Sequence, residues 1–450
     1  LINKAARCAG SMCLSLLLIF TGCGSGGKQS TSESGPIPSP SPSAALTPSS
    51  VPTNAVSDPS KPASTPAPSP SSEDDEISNL ISAMTLEQKI GQMILAGVDG
   101  TSIDAAAKKM ILEQHVGGII MYKNNFSDLS GSARFVNALK KANKDNPIPL
   151  FISVDQEGGK VSRLPKDFVS IPDAATVGRS DNAALAKKMG SLLSQELQLM
   201  GFNVDFAPVL DINSNPKNPV IGNRAFGNNA KLVSKMGISV MNGLREGGTV
   251  AVVKHFPGHG DTAVDSHLDL PVVNKTTKQL ESMEWVPFRA AIDEQADAVM
   301  VAHILFPLID PDAPASLSKI IIGEQLRGTL GYDGVVITDD MTMGAIAHNY
   351  GIADAAVMSV EAGSDIVLVA HGYDTEKMVF DKLLQAVRSG KVDEIRIDQS
   401  VRRILTLKLK YKLSDQPIPI PTIKDLPNNA IRQVGGQAEK RLAMSLYGLV

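Results

Sequence analysis

Short apolar runs recur along the chain and alternate with amphipathic segments. The runs lie at 93–98, 117–122, 149–155, 204–212, 249–255, 298–304, 334–339 and 365–370, and they are rich in Val, Ile and Leu. A strand buried on both faces reads as such a run, whereas a half-exposed strand alternates apolar with polar. Between the runs, segments such as 182–200, 231–244 and 277–296 carry apolar residues at helical spacing. The last run is followed by two more helix-type segments, 373–389 and 398–411. Eight parallel strands joined by helical crossovers predict an α/β fold, a (β/α)8 TIM-type barrel over residues 76–412. That span suits the usual range of roughly 200 to 400 residues for such barrels. An open doubly wound sheet is the alternative. No Gly-rich nucleotide fingerprint follows the first strand, which weakens it.

The ends of the chain follow other patterns. Lys4 and Arg7 precede a short apolar run at 12–20, too short for a membrane-spanning helix of about 20 residues. Residues 1–22 resemble a bacterial lipoprotein-type signal peptide, with Cys23 as the lipidated residue and the membrane as a partner through that lipid. The expected location is extracytoplasmic, either lipid-anchored to the cell membrane or secreted. All three cysteines, Cys8, Cys13 and Cys23, fall in this stretch. The globular part is therefore expected to carry no internal disulfide and no Cys metal site. Residues 23–75 are dominated by Ser, Pro, Thr, Ala and Gly, a composition that cannot offset the entropy of ordering and predicts a disordered tether. At the other end, 413–450 reads as a Pro-rich linker followed by a helix-like tail.

Charge narrows the partners. The net charge is −4, from 43 basic and 47 acidic residues, with no basic run. Nucleic-acid binding has no electrostatic support. The titratable residues fall instead at strand ends: Asp155, Asp211, Lys254 with His255, His303, and Asp339 with Asp340. Barrel enzymes carry their chemistry at the C-terminal ends of the strands. One such residue alone could be a satisfied structural group, but five strands ending this way predict a catalytic rim. The densest cluster is 254–267, which holds Lys254, His255, His259, Asp261, Asp265 and His267.

These residues carry a resemblance. Residues 254–267, followed by Leu268-Asp269-Leu270-Pro271, and the run Gly334-Val335-Val336-Ile337-Thr338-Asp339-Asp340-Met341-Thr342-Met343 resemble glycoside hydrolase family 3. Within it they are most similar to the NagZ-like β-N-acetylhexosaminidase branch. Further matches are Asp155-Gln156-Glu157-Gly158-Gly159-Lys160-Val161-Ser162-Arg163, Gly222-Asn223-Arg224-Ala225-Phe226-Gly227, and Leu326-Arg327 before Gly331-Tyr332-Asp333-Gly334. The similarity covers residues 78–412. Lys160 departs from it, standing where the family often has Arg.

The resemblance implies a retaining exo-β-N-acetylglucosaminidase acting on terminal β-linked GlcNAc of cell-wall muropeptides or related glycans. It implies Asp339 as nucleophile, His267 as general acid/base and Asp265 as the partner of His267. It assigns Asp155, Arg163, Arg224, Lys254 and His255 to the sugar. Most glycosidases pair two carboxyl groups. An imidazole can replace one, because it ionises near neutral pH and passes a proton in either direction. No metal or organic cofactor is expected, and the chain is expected to act as a monomer on a carbohydrate. Relatives often continue into a second α/β domain, but a dyad on the barrel would not depend on one.

Three alternatives remain. A family 3 β-glucosidase usually takes its acid/base from that second domain, so the Asp265–His267 pair speaks against it. A metal-dependent hydrolase would use His255, His259 and His267, but the spacing lacks a distributed ligand set. A non-catalytic, lipid-anchored glycan-binding protein has no need of a nucleophile. Asp211, His259 and His303 are expected to shape the loop and rim, while His115, His348 and His371 belong to no motif and are expected to be surface or core histidines.

Overall fold

The computed structural model describes residues 72–446. The expected signal peptide, Cys23 and the expected tether up to residue 71 lie outside the described residues. The first helix, Ser72–Ala83, begins four residues before the expected start at 76.

Eight strands follow the eight apolar runs in order: β1 Ile94–Gly97, β2 Gly118–Met121, β3 Phe151–Val154, β4 Val204–Asp205, β5 Val250–Phe256, β6 Ala298–Val301, β7 Val335–Thr338 and β8 Val367–Val369. Neighbours pair in parallel in the order β7-β6-β5-β4-β3-β2-β1-β8. A parallel bridge between Ile337 and Ile366 joins the two ends, and the Thr338 amide donates to the Ile366 carbonyl there. The sheet therefore closes into the expected barrel, which removes its free edges.

Burial on both faces explains the continuous apolar runs. Leu95, Phe151, Val204, Val250, Ala298, Ile337 and Ile366, from the strands or the residue beside them, meet around one small void, which places them on the barrel axis. The alternate residues Ala251, Val253, Val299 and Val336 join a second apolar cluster with Trp285, Phe288 and Leu244 of the outer helices. A polar side chain at either set of positions would lose its water without gaining a partner.

The run at 204–212 yields only two residues of regular strand. Pro208 has no amide to give the ladder, and pairing resumes only at the bridge between Val209 and Lys254. At the chain's other end, the Asn137 side chain donates to the Ile418 carbonyl and accepts from the Ile418 amide. The helix Asn428–Leu446 then buries Ile431, Val434 and Ala438. Asn428 donates to the Asp167 carbonyl and accepts from the Val169 amide, so this tail packs on the barrel and braces one of its loops.

Candidate active site

A cavity of about 760 Å³ opens at the C-terminal mouth of the barrel. Asp155, Arg163, Arg224, Lys254, His255, Asp265, His267 and Asp339 all line it. The structure thus brings together every residue that the sequence singles out for catalysis or sugar binding.

The floor is a chain of alternating charges. Lys254 is almost fully buried, with Nζ 2.5 Å from Asp155 Oδ1 and 2.7 Å from Glu157 Oε1. Arg224 donates from Nε and Nη2 to the two oxygens of Glu157, at 2.8 and 2.7 Å. Burial acts to raise the Glu157 carboxyl, but the charges of Arg224 and Lys254 hold it well below the usual carboxylate range. Burial likewise acts against the Lys254 ammonium, and Asp155 and Glu157 reverse it, leaving it raised. Glu157, Lys254 and Arg224 are therefore held as ions, which a buried site tolerates only when each charge is paired and hydrogen-bonded. Asp155 keeps 19% of its side chain exposed, and it faces the cavity. Arg163 also lines the cavity, and its buried Nε has no hydrogen-bond partner among the described residues.

Adjacent residues on a strand normally point to opposite faces. The register of β5 against β6 shifts between Val253 and Phe256, and such an irregularity re-aims side chains. Lys254 and His255 both reach the cavity as a result. His255 Nδ1 lies 2.6 Å from Asp211 Oδ2, while Asp211 Oδ1 accepts the His259 amide at 2.6 Å. Burial acts to raise Asp211, and the charge of His255 beside it outweighs burial, so its carboxyl is held low. Asp211 fixes the ring so that Nε2 faces the cavity, 3.4 Å from Arg224.

Asp265 and His267 stand on the loop after β5. His267 Nδ1 is 2.8 Å from Asp265 Oδ1, and the same oxygen accepts the His267 amide at 2.9 Å. Burial opposes ionisation of Asp265, but these two bonds prevail and hold its carboxyl below the usual range. The His267 side chain is 64% exposed, so the ring is held at one nitrogen while it stands at the open rim.

Asp339 and Asp340 follow β7 and differ sharply. Asp340 Oδ1 accepts from the Thr342 and Ala370 amides, and Oδ2 accepts from the Thr342 hydroxyl at 2.7 Å. Its carboxylate is occupied by structure. The Asp339 carboxylate takes a bond only from the next amide, at 2.9 Å, among the described residues. Burial acts to raise Asp339, and the neighbouring His303 and His255 rings together with the Asp340 amide outweigh it, so its carboxyl is held below the usual range. His303 is itself buried between Ser316 Oγ and the Asp340 carbonyl, and burial lowers it.

Glu157 and Tyr122 line the cavity without having been singled out. Glu157 had a signal in the sequence: Lys254 and Arg224 need two anions if both are buried, and Asp155 is only one. His371, expected to be a surface or core histidine, is exposed and also lines the cavity. It stands two residues beyond β8, with its ring 5.1 Å from that of Tyr122 and Nε2 3.9 Å from Asp340 Oδ2. Its position at a strand end was the overlooked cue. His115 lies away from the cavity and contacts Asn146.

Behind the floor, the Gln156 side chain accepts the Arg163 amide at 2.8 Å and donates to Ser162 Oγ at 3.0 Å. It also reaches Glu196 Oε2 at 3.4 Å. Burial pushes the Glu196 carboxyl up to about 8. The folded chain therefore holds one more proton than the unfolded chain between pH 4.5, the ordinary Glu value, and about 8. Linkage makes this contribution to stability fall as pH rises through that window. Glu196→Gln is expected to be more stable than wild type at pH 8 by about 1–4 kcal/mol, with the gap closing towards pH 5. Denaturant melts at both pH values check this, and a gap independent of pH contradicts it.

Residues 85–407 match the family described as glycosyl hydrolase family 3 N terminal domain. The chain is 32% identical over 344 residues to a β-hexosaminidase A of Pseudoalteromonas piscicida, a match covering 71% of this chain and 58% of that relative. It is 36% identical over 285 residues to a β-hexosaminidase of Xylella fastidiosa, covering 62% and 83%. Among solved structures it resembles a glycoside hydrolase family 3 β-N-acetylglucosaminidase of a Paenibacillus species, at 42% identity and TM-score 0.75, covering 79% of this chain and 69% of that one. A β-N-acetylhexosaminidase of Beutenbergia cavernae is similar at 31% identity and TM-score 0.68, covering 72% and 98%.

Proposed function

The chain belongs to glycosyl hydrolase family 3, and from that premise we propose that it is a retaining exo-β-N-acetylglucosaminidase. The observation that carries this reading is one cavity holding an ionised, otherwise unoccupied Asp339 together with the Asp265–His267 pair. The related β-hexosaminidases and β-N-acetylglucosaminidases support the substrate class.

The chemistry runs in two steps. Asp339 attacks the anomeric carbon as the glycosidic C–O bond breaks. The His267 imidazolium gives its Nε2 proton to the departing oxygen, while Asp265 accepts the hydrogen bond from Nδ1 and stabilises the cation. The covalent glycosyl ester on Asp339 is then opened by water. Neutral His267 takes the proton from that water, and the Asp339 carboxylate leaves with overall retention. Asp155 accepts from sugar hydroxyls, and Arg163, Arg224, Lys254 and His255 complete a fixed pattern of donors and acceptors. The natural substrates are GlcNAc-ended cell-wall muropeptides or related glycans, and no metal or organic cofactor enters the reaction.

His267→Ala tests the assignment. Aryl β-GlcNAc substrates with poor leaving groups are expected to lose about 10²–10⁴-fold in kcat/KM, and activated aryl substrates far less. Equal losses across leaving groups would remove His267 from the acid role. Turnover of aryl β-glucosides in preference to aryl β-GlcNAc would favour the β-glucosidase reading instead.

A further inference from the structure

The loop bearing Asp265 and His267 exposes its acid/base side chain, yet its backbone is tied down at two places. One tie lies within the loop. His259 is buried, with Nδ1 2.8 Å from Thr262 Oγ1 and Nε2 3.1 Å from Ser266 Oγ. Its ring is a bridge between the loop's base and the residue before His267.

The second tie joins the loop to the segment after the nucleophile. The Gly344 amide donates to the His267 carbonyl at 3.2 Å, and the Ala345 amide donates to the Ser266 carbonyl at 3.1 Å. At Gly344 the approach leaves no room for a side chain. A Cβ there would stand 2.6 Å from the Leu268 carbonyl oxygen and 2.7 Å from that of His267. Both obstacles are backbone, so a rotamer change cannot relieve them. Gly344 does not need a left-handed backbone; it needs to be small.

This receiving segment is itself fixed. Asp340 binds Thr342 through its amide and hydroxyl, and accepts from Ala370 at the end of β8. The Met343 amide returns to the Asp340 carbonyl, and the Met341 amide donates to Leu368 of β8. The same few residues therefore hold Asp339 at the cavity and receive the loop.

We infer that residues 343–345 are the docking seat of the acid/base loop, and that Gly344 is the positioning residue that sets the reach of His267 to the bond attacked by Asp339. Nucleophile and proton donor are placed from one stretch of backbone, although they belong to different strands. The inference rests on the acid/base role proposed above for His267. Gly344 touches no substrate and acts only through the loop it seats.

Gly344→Ala is the direct test. A displacement of His267 by about 1 Å is expected to cost on the order of 10²-fold in a step that needs its proton. Poor aryl leaving groups should therefore lose about 10–10²-fold in kcat/KM, while activated ones lose less than about threefold. Azide, which attacks the glycosyl ester without base assistance, should speed turnover of the activated substrate in the variant more than in wild type. Ala345→Pro gives a second reading if Gly344→Ala folds poorly. It removes the amide to Ser266 in a first helical turn that tolerates Pro, and the same leaving-group dependence is expected. Losses equal across leaving groups without azide acceleration, or no loss in either variant, overturn the seat. If His267→Ala is itself insensitive to the leaving group, the acid/base reading has failed; if it is sensitive and the seat variants are not, only the seat has failed.

Discussion

Asp339→Ala is expected to lower kcat on aryl β-GlcNAc substrates by about 10⁴-fold or more, the scale seen when a covalent nucleophile is removed. The reasoning is geometric and electrostatic together. Asp339 lines the cavity, and its carboxylate takes only the Asp340 amide among the described residues. The neighbouring His303 and His255 rings and the Asp340 amide hold its carboxyl low despite burial. Asp340 next to it has both oxygens engaged with Thr342 and Ala370. Asp340→Ala should thus destabilise the fold by about 1–3 kcal/mol through the bonds it leaves unmade. It should keep the capacity to form a covalent intermediate. Single-turnover kinetics on the two variants separate these outcomes, and a larger chemical defect in the Asp340 variant would reverse the assignment.

Lys254→Met is expected to have the second largest effect, on stability and affinity at once. Lys254 Nζ lies between Asp155 and Glu157 at 2.5 and 2.7 Å. Removing it leaves two carboxylates facing each other in a buried floor, with only Arg224 to compensate. Breaking a buried pair in this way costs about 3–5 kcal/mol, and KM should rise because Asp155 is no longer held in place. Adding Glu157→Gln removes one of the stranded charges. The double variant should recover part of the stability and none of the affinity. Denaturant melts and KM values for the two single variants and the double variant check this, since neighbouring residues are expected to be non-additive. Simple addition of the two losses would show that the charges do not act as a unit.

The barrel was legible because burial on both faces leaves a continuous apolar run, and eight such runs became eight strands in order. What the runs could not show is where pairing stops. Pro208 ends the β4 ladder early, although Val209, Leu210 and Ile212 stay buried. The partners of Asp365, which opens the eighth run, were also illegible. Asp365 is fully buried and accepts from the Val336 amide, Arg327 and Ser400, and these partners are scattered through the chain.

In the site, residue types at strand ends placed Asp155, Lys254, His255 and Asp339 on the mouth, and resemblance supplied their roles. Pairing was the missing layer. The motif of Arg224 assigned it to the sugar and gave no sign that two of its nitrogens also bond to Glu157, 67 positions away. The order of charges on the floor is a spatial fact that no spacing encodes. The tail beyond 413 shows the same limit. It reads as Pro-rich linker and helix, yet Asn428 holds the Asp167 and Val169 backbone of the loop that also carries Arg163.

The most direct test of the account is to trap the covalent intermediate. A fluorinated GlcNAc donor with a good leaving group forms the glycosyl-enzyme faster than water opens it. Intact-mass measurement should then show one sugar added per chain, and fragmentation should place it on Asp339, with the β-anomer of GlcNAc as first-formed product of ordinary turnover. A sugar located on Asp340 or elsewhere, or an α-anomer released with no adduct, would contradict the account.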